Sequence, residues 1–234
     1  MSLSDDPKGK DMGFITAEAT GTTSLASAGY TKTPVEVIDP GSDWESVVEL
    51  TVKTINEFAK DPNIKGICLD GLTALCGLAV DSLSDGGGEK QLGWDGWAQV
   101  LNGFRRMERS LDIASMKYHK TCVMTAWEKS ATYEDTMAGR VIKEGHRPLL
   151  QGQAKDWLPG KVDIIARMSS KTTKKAVGKE VKREWNGFLY CYGTDEYLAK
   201  TRWTLPDPAP ADLKKILGIV RGQRDSIVKA RKEK

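Results

Sequence analysis

Short apolar runs alternating with long amphipathic stretches constrain this 234-residue chain more than any other feature. Residues 13–17 (Gly-Phe-Ile-Thr-Ala) read as a strand that ends at Glu18 and breaks into a polar Thr/Gly loop. Residues 35–38 are a second strand, closed by the turn Asp39-Pro40-Gly41, and Ser42 or Asp43 is placed to cap a helix beginning near Trp44. Val47, Val48, Leu50, Val52, Ile55, Phe58 and Ala59 give that helix a broad apolar face, and Asp61-Pro62 stops it. Residues 64–69 are short, apolar and turn-bounded, as a buried strand is, and they place Asp70 at its C-terminal end. Three consecutive glycines in 82–93 mark a loop. A long helix is then expected from about Trp94 to Tyr118, with Trp97, Val100, Leu101, Phe104, Met107, Leu111 and Ile113 near helical spacing, followed by a strand over 121–126. Strand, helix, strand, helix, strand is the βαβ alternation that builds an α/β fold around a mostly parallel sheet.

Beyond Lys129 the texture changes. Residues 130–160 are polar and read as loops, whereas 162–168, 181–192 and 197–203 read as strands joined by Lys- and Gly-rich turns, an antiparallel C-terminal extension of the same sheet. Pro206, Pro208 and Pro210 form a stiff spacer before an amphipathic helix beginning near Ala211. This divides the chain into a core over 1–205 and a basic helix and tail over 206–234. At 39% hydrophobic and 29% charged residues, wholesale disorder is excluded. The longest nearly apolar run, 71–80, is half a membrane span, and the polar N-terminus is not signal-like, so the expectation is an intracellular protein without a membrane partner. Four dispersed cysteines and two histidines encode neither a disulfide framework nor a zinc site.

Asp70 is the first residue with chemical promise. A carboxylate at the end of a buried parallel strand faces the crevice where open α/β sheets bind ligands, and in nucleotide hydrolases it holds the water shell of Mg²⁺. A strand ending in Asp-Gly is also a routine turn, so both readings stand. Glu18, an acid at another strand end, is placed to orient or deprotonate a water. The net charge of +3 hides two basic stretches. Arg167, Lys171, Lys174, Lys175, Lys179, Lys182 and Arg183 stand against two Glu, and residues 211–234 carry eight basic residues against three acids. The first fits a basic hairpin tracking a nucleic-acid backbone, with Trp185, Phe188 and Tyr190 to stack on bases, or equally a solvated turn beside core aromatics. Trp94, Trp97 and Trp127 are read as packing residues, and His119 and His146 as structural or surface residues.

Taken together, the chain resembles RecA-like ATPases. Residues 13–25, GFITAEATGTTSL, are similar to the core strand that the catalytic glutamate follows, and IKGICLDGLTAL resembles their Walker B strand with its D-S-L-T-A-L continuation, Gly71 standing for Ser. The helix to Tyr118 and the strand TCVMTAWEK resemble the next unit, whose strand end carries a polar sensor, for which Trp127 stands here. Arg147-Pro148-Leu149-Leu150-Gln151-Gly152-Gln153-Ala154, Leu158-Pro159 and Val162-Asp163 are similar to the P-x-L-x-G-K, L-P and F-D pattern of phage-encoded Sak4-type ATP-binding proteins. Lys200-Thr201-Arg202 resembles the K-x-R element that RecA-like hexameric helicases and their relatives place against a neighbouring subunit's γ-phosphate. The resemblance implies ATP and Mg²⁺ as cofactors, Asp70 and Thr73 near the nucleotide, Asp70 on Mg²⁺ through water, Glu18 on the attacking water, and Lys200 and Arg202 acting across a subunit boundary. It also implies a homo-oligomer acting with single-stranded DNA and an annealing or binding protein, in the cytoplasm of a bacterial host. The family's first strand, Walker A loop G-x-x-x-x-G-K-[ST] and helix precede the strand matched by 13–17, and no such loop occurs in these 234 residues. Three readings follow: a split or partial chain, a degenerate relative, or a start placed too late. In each, the isolated chain is expected to bind ATP weakly or not at all, and the alternative role is a non-catalytic DNA-binding or assembly subunit.

Overall fold

The computed structural model describes residues 6, 8–18, 20–84, 88, 92–135, 140–177, 180–194 and 197–232. The chain divides into two compact units. The first comprises Ser4–Glu128 with Pro148–Gly160, and the second comprises Lys129–Arg147 with Lys161–Lys234.

The first unit is built on a four-stranded parallel sheet of β1 (Met12–Thr16), β2 (Val35–Val37), β3 (Gly66–Asp70) and β4 (Thr121–Met124), in the order β2-β1-β3-β4. Helices α1 (Gly21–Ser27), α2 (Trp44–Lys60), α3 (Leu72–Leu83) and α4 (Trp94–Tyr118) connect or follow the strands. Apolar periodicity explains the long ones. Val47, Val48, Ile55 and Ala59 of α2 and Val100, Phe104, Met107 and Leu111 of α4 join Ile15, Ile67 and Leu69 of the sheet in one core. Asp43 caps α2, its carboxylate accepting from Ser46 N–H at 3.0 Å and Ser46 Oγ at 2.6 Å, and these bonds hold its pKa below the usual carboxylate value. Close approach dictates two glycines: a Cβ on Gly13 would fall 2.2 Å from the Phe58 ring, and one on Gly66 would fall 2.6 Å from Met12 Sδ. Buried Lys120 donates from Nζ to the carbonyls of Asp61 and Ile64, fixing the link between α2 and β3.

Three local differences from the sequence reading have physical causes. Residues 21–27, expected as loop, form the short helix α1, which lacks a side-chain cap and so leaves no capping signature. Part of the expected polar loop region forms the paired strands β5 (Glu128–Asp135) and β6 (Arg140–Pro148) and helix α5 (Ala154–Lys161), because β5 and β6 carry charged and polar residues without the apolar alternation that marks a half-buried strand. The antiparallel strands, expected to extend the parallel sheet, form small sheets of their own.

In the second unit β8 (Arg167–Val177) and β9 (Glu180–Tyr190) form a long antiparallel hairpin, and β11 (Ala209–Pro210) pairs with β9. β7 (Ile164–Ile165) pairs with β10 (Lys200–Thr201). Helix α6 (Leu213–Lys232) contributes Ile216 to a small core with Leu189, Cys191, Leu205 and Ala209. No helix among the described residues is long and apolar enough to cross a membrane.

Candidate functional site

Parallel register brings the strand ends of the first unit level. Thr16 of β1 pairs with Asp70 of β3, and Leu69 pairs with Met124 of β4, so Thr125 follows directly beside Asp70. The half-buried Asp70 carboxylate is then flanked by hydroxyls on both sides. Thr125 Oγ1 donates to Oδ1 at 2.5 Å, and Thr16 Oγ1 lies 3.4 Å from Oδ2. Each hydroxyl is itself oriented by backbone: Gly71 N–H donates to Thr125 Oγ1 at 2.9 Å, and Glu18 N–H donates to Thr16 Oγ1 at 3.0 Å. The Thr125 hydroxyl, accepting from a fixed N–H, directs its proton at the carboxylate and sets it in place before any ligand arrives, whereas the Thr16 hydroxyl has the Glu18 carbonyl, at 3.2 Å, as its nearer acceptor.

Glu18 joins this cluster through Gly71. Gly71 has φ +86°, in the left-handed region, and a Cβ on it would fall 3.1 Å from Glu18 Cγ and Oε1. Glycine at this position therefore satisfies both the backbone and the close packing of Glu18, which accounts for the departure from serine. Gly21 closes the cluster above: a Cβ there would fall 2.7 Å from Thr16 Oγ1 and 3.4 Å from Asp70 Oδ2. Neither Asp70 nor Glu18 has a cationic partner among the described residues. Burial, reinforced by the Asp70 charge, pushes the Cys68 thiol one layer below up to about 12.

Two adjacent carboxylates with two hydroxyls and no compensating cation suit a hydrated hard cation such as Mg²⁺. The triphosphate of ATP is a different case. Phosphates need free N–H groups or a lysine, but the strand-tip donors here are spent internally. Gly71 N–H is on Thr125 Oγ1, Leu72 N–H is on the Thr125 carbonyl at 2.9 Å, and Gly21 N–H is on the Glu18 carbonyl at 2.9 Å. Asp70 and Glu18 would therefore hold a cation mainly through its own water shell, since no group of three or more His, Cys, Asp or Glu side chains forms a metal cage among the described residues, and these three N–H groups are closed to phosphate.

Other expected residues fall as follows. Thr73 Oγ1 donates to the Leu149 carbonyl at 2.8 Å and accepts from Trp127 N–H at 3.0 Å, a clip that ties 149 to 127. Lys200 lies in β10, opposite Ile165, and Arg202 makes an exposed ion pair with Asp163 at 2.9 Å, both in the second unit. Lys171 is an exposed residue of the β8–β9 hairpin, whose register sets Lys174 opposite Arg183 and Lys175 opposite Lys182. Lys179 lies outside the described residues.

Thr125 and Thr16 are the functional candidates that the sequence reading missed. Their signal was position alone: hydroxyl residues at the C-terminal ends of the strands flanking the Asp70 strand. Thr125 is the polar residue at this strand end that contacts Asp70, while Trp127, two residues on, is exposed. Trp94, read as packing, is 87% exposed.

A protein-family model described as an AAA domain matches residues 11–203. No curated protein matches the chain.

Proposed function

The chain belongs to the AAA domain family, whose members are nucleotide-binding NTPases that generally bind ATP with Mg²⁺, and we propose that it is a RecA-like member of the phage Sak4 type, acting in DNA recombination and single-strand annealing. The observation that carries this reading is the Asp70 carboxylate, set by Thr125 with Thr16 and Glu18 beside it. In this role Asp70 holds Mg²⁺ through water and Glu18 orients the attacking water. Lys200 and Arg202 reach the γ-phosphate of a neighbouring subunit in a homo-oligomer. The phosphate cradle comes from a strand, Walker A loop and helix outside these 234 residues. Its docking place is the outer edge of β4, which pairs on one side only among the described residues. The ATP-dependent role accordingly needs that unit, and the isolated chain binds nucleotide weakly.

The test is Mg-ATP binding and hydrolysis by the chain alone and mixed with a polypeptide carrying the missing strand, loop and helix. Complementation is expected to produce hydrolysis that Asp70→Asn and Glu18→Gln abolish. Hydrolysis indifferent to Asp70→Asn would overturn the reading.

One observation favours a second reading, a non-catalytic subunit that binds single-stranded DNA. The backbone register of the β8–β9 hairpin sets basic positions opposite one another, Lys174 with Arg183 and Lys175 with Lys182, a local concentration of basic sequence that favours a polyanionic partner. Under this reading, DNA binding survives Asp70→Asn unchanged and weakens steeply with salt.

A further inference from the structure

The N-terminal half of α4 borders an open groove of about 570 Å³ that shares no residue with the Asp70 cluster. Its walls are fixed. Trp97 lies against Gly152, which has φ +57° and on which a Cβ would fall 2.5 Å from the indole. Arg105 sits with its guanidinium carbon 5.7 Å from the centre of the Trp157 ring. At the mouth stands Trp94, 87% exposed at the start of α4, an indole left open by the side chains of the described residues. Lys155 lines the groove as well, and exposed Arg109 is one helical turn beyond Arg105 on the same face. None of these three cations has a carboxylate partner among the described residues, and Asp156 is the one acid among the lining residues.

We propose that this groove binds single-stranded nucleic acid, with a base stacked on Trp94 and the flanking phosphates against Arg105, Lys155 and Arg109. Two features select this occupant. A fully presented aromatic face suits a base, because every base offers a π-face and stacking needs no sequence match. Three uncompensated cations around one acid suit a polyanionic backbone that runs past that base. The site stands on the geometry of the first unit and does not depend on nucleotide, so it survives failure of the ATPase reading.

The test is binding of a short fluorescent oligo-dT to the full chain at two salt concentrations, without nucleotide or Mg²⁺. Trp94→Ala is expected to weaken binding about tenfold or more, and Trp94→Phe, which keeps a ring, to restore most of it. Arg105→Gln should lower the salt slope by about one. An unchanged thermal unfolding curve shows that Trp94→Ala leaves the fold intact, as its exposure implies. Folded Trp94→Ala binding as tightly as the parent would place the DNA elsewhere, the β8–β9 hairpin included, and overturn the proposal. So would displacement of the oligonucleotide by an acidic, tryptophan-containing peptide at lower concentration than by unlabelled oligo-dT.

Discussion

The two units support their polar groups on different scaffolds. The first holds two acids and two hydroxyls at the ends of parallel strands over a continuous apolar core, with Arg105, Arg109 and Lys155 apart from them at a groove, and the second carries basic residues along a hairpin and has a small core. Carboxylates without counter-charges need a rigid scaffold to orient them if each is to keep one geometry for a cation. Exposed cations that meet a phosphate backbone have no such requirement, since long side chains reach a diffuse target. The difference therefore predicts that perturbing the first unit costs more, and in a more position-specific way, than perturbing the second.

The largest test of that comparison is core truncation. Phe104 is fully buried against Trp44, with ring centroids 5.7 Å apart, so Phe104→Ala should destabilise by about 3–5 kcal/mol. Leu189 of the second unit sits in a smaller cluster that collapses more readily, and Leu189→Ala should cost about 2–3 kcal/mol. Urea unfolding followed by circular dichroism measures both. Equal costs would mean that the two cores are equally rigid.

Next is the hydroxyl that sets Asp70. Thr125→Val removes the donor to Oδ1 and the acceptor of Gly71 N–H while keeping the shape, and should cost about 1–3 kcal/mol. Thr125→Ser should recover most of it. Mg²⁺ protection against thermal unfolding, compared across parent, Thr125→Val and Asp70→Asn, separates loss of the metal site from loss of fold. If Thr125→Val is neutral in both measurements, the hydroxyl does not set the carboxylate.

The thiols give a comparison on a different axis. Burial raises Cys68 to about 12 with the Asp70 charge as a second cause, and raises Cys122 to about 12 with Asp112 behind it. In the second unit Cys191 is also raised, by burial and then Asp207. These folded values lie above the unfolded thiol value of about 9, so unfolding releases protons between about pH 9 and 12. Stability is therefore retained below pH 9 and falls as pH rises through that window, by up to about 1.4 kcal/mol per pH unit for each thiol. Cys68→Ala should flatten the decline in urea melts taken at pH 8, 9.5 and 10.5. Asp70→Asn should flatten it slightly, because it removes only the lesser cause.

What the sequence made legible follows the same division. The helix α4 and the strand ending at Asp70 were readable because long apolar periodicity and a turn-bounded apolar run are strong signals. Asp70 and Glu18 were readable as acids at strand ends. Thr16 and Thr125 were not, because a threonine at the end of a strand looks like any other until the register places it beside Asp70. Strands β5 and β6 were missed because they carry no apolar alternation, and Trp94 was misjudged because an indole on an amphipathic helix is usually buried.

The smallest expected effect concerns Arg202. Its ion pair with Asp163 has both side chains about 60% exposed, 62% and 61%, so Coulomb attraction is screened and much of it is offset by side-chain entropy. Asp163→Asn should change stability by less than about 1 kcal/mol, and 0.5 M NaCl should erase even that. A pair this weak leaves Arg202 free to exchange Asp163 for a stronger anion, which is what a role toward a neighbour's phosphate demands. A cost near 2 kcal/mol or more that persists in salt would mean that the guanidinium is committed to the second unit's own fold, and would remove Arg202 from any reach across a subunit boundary.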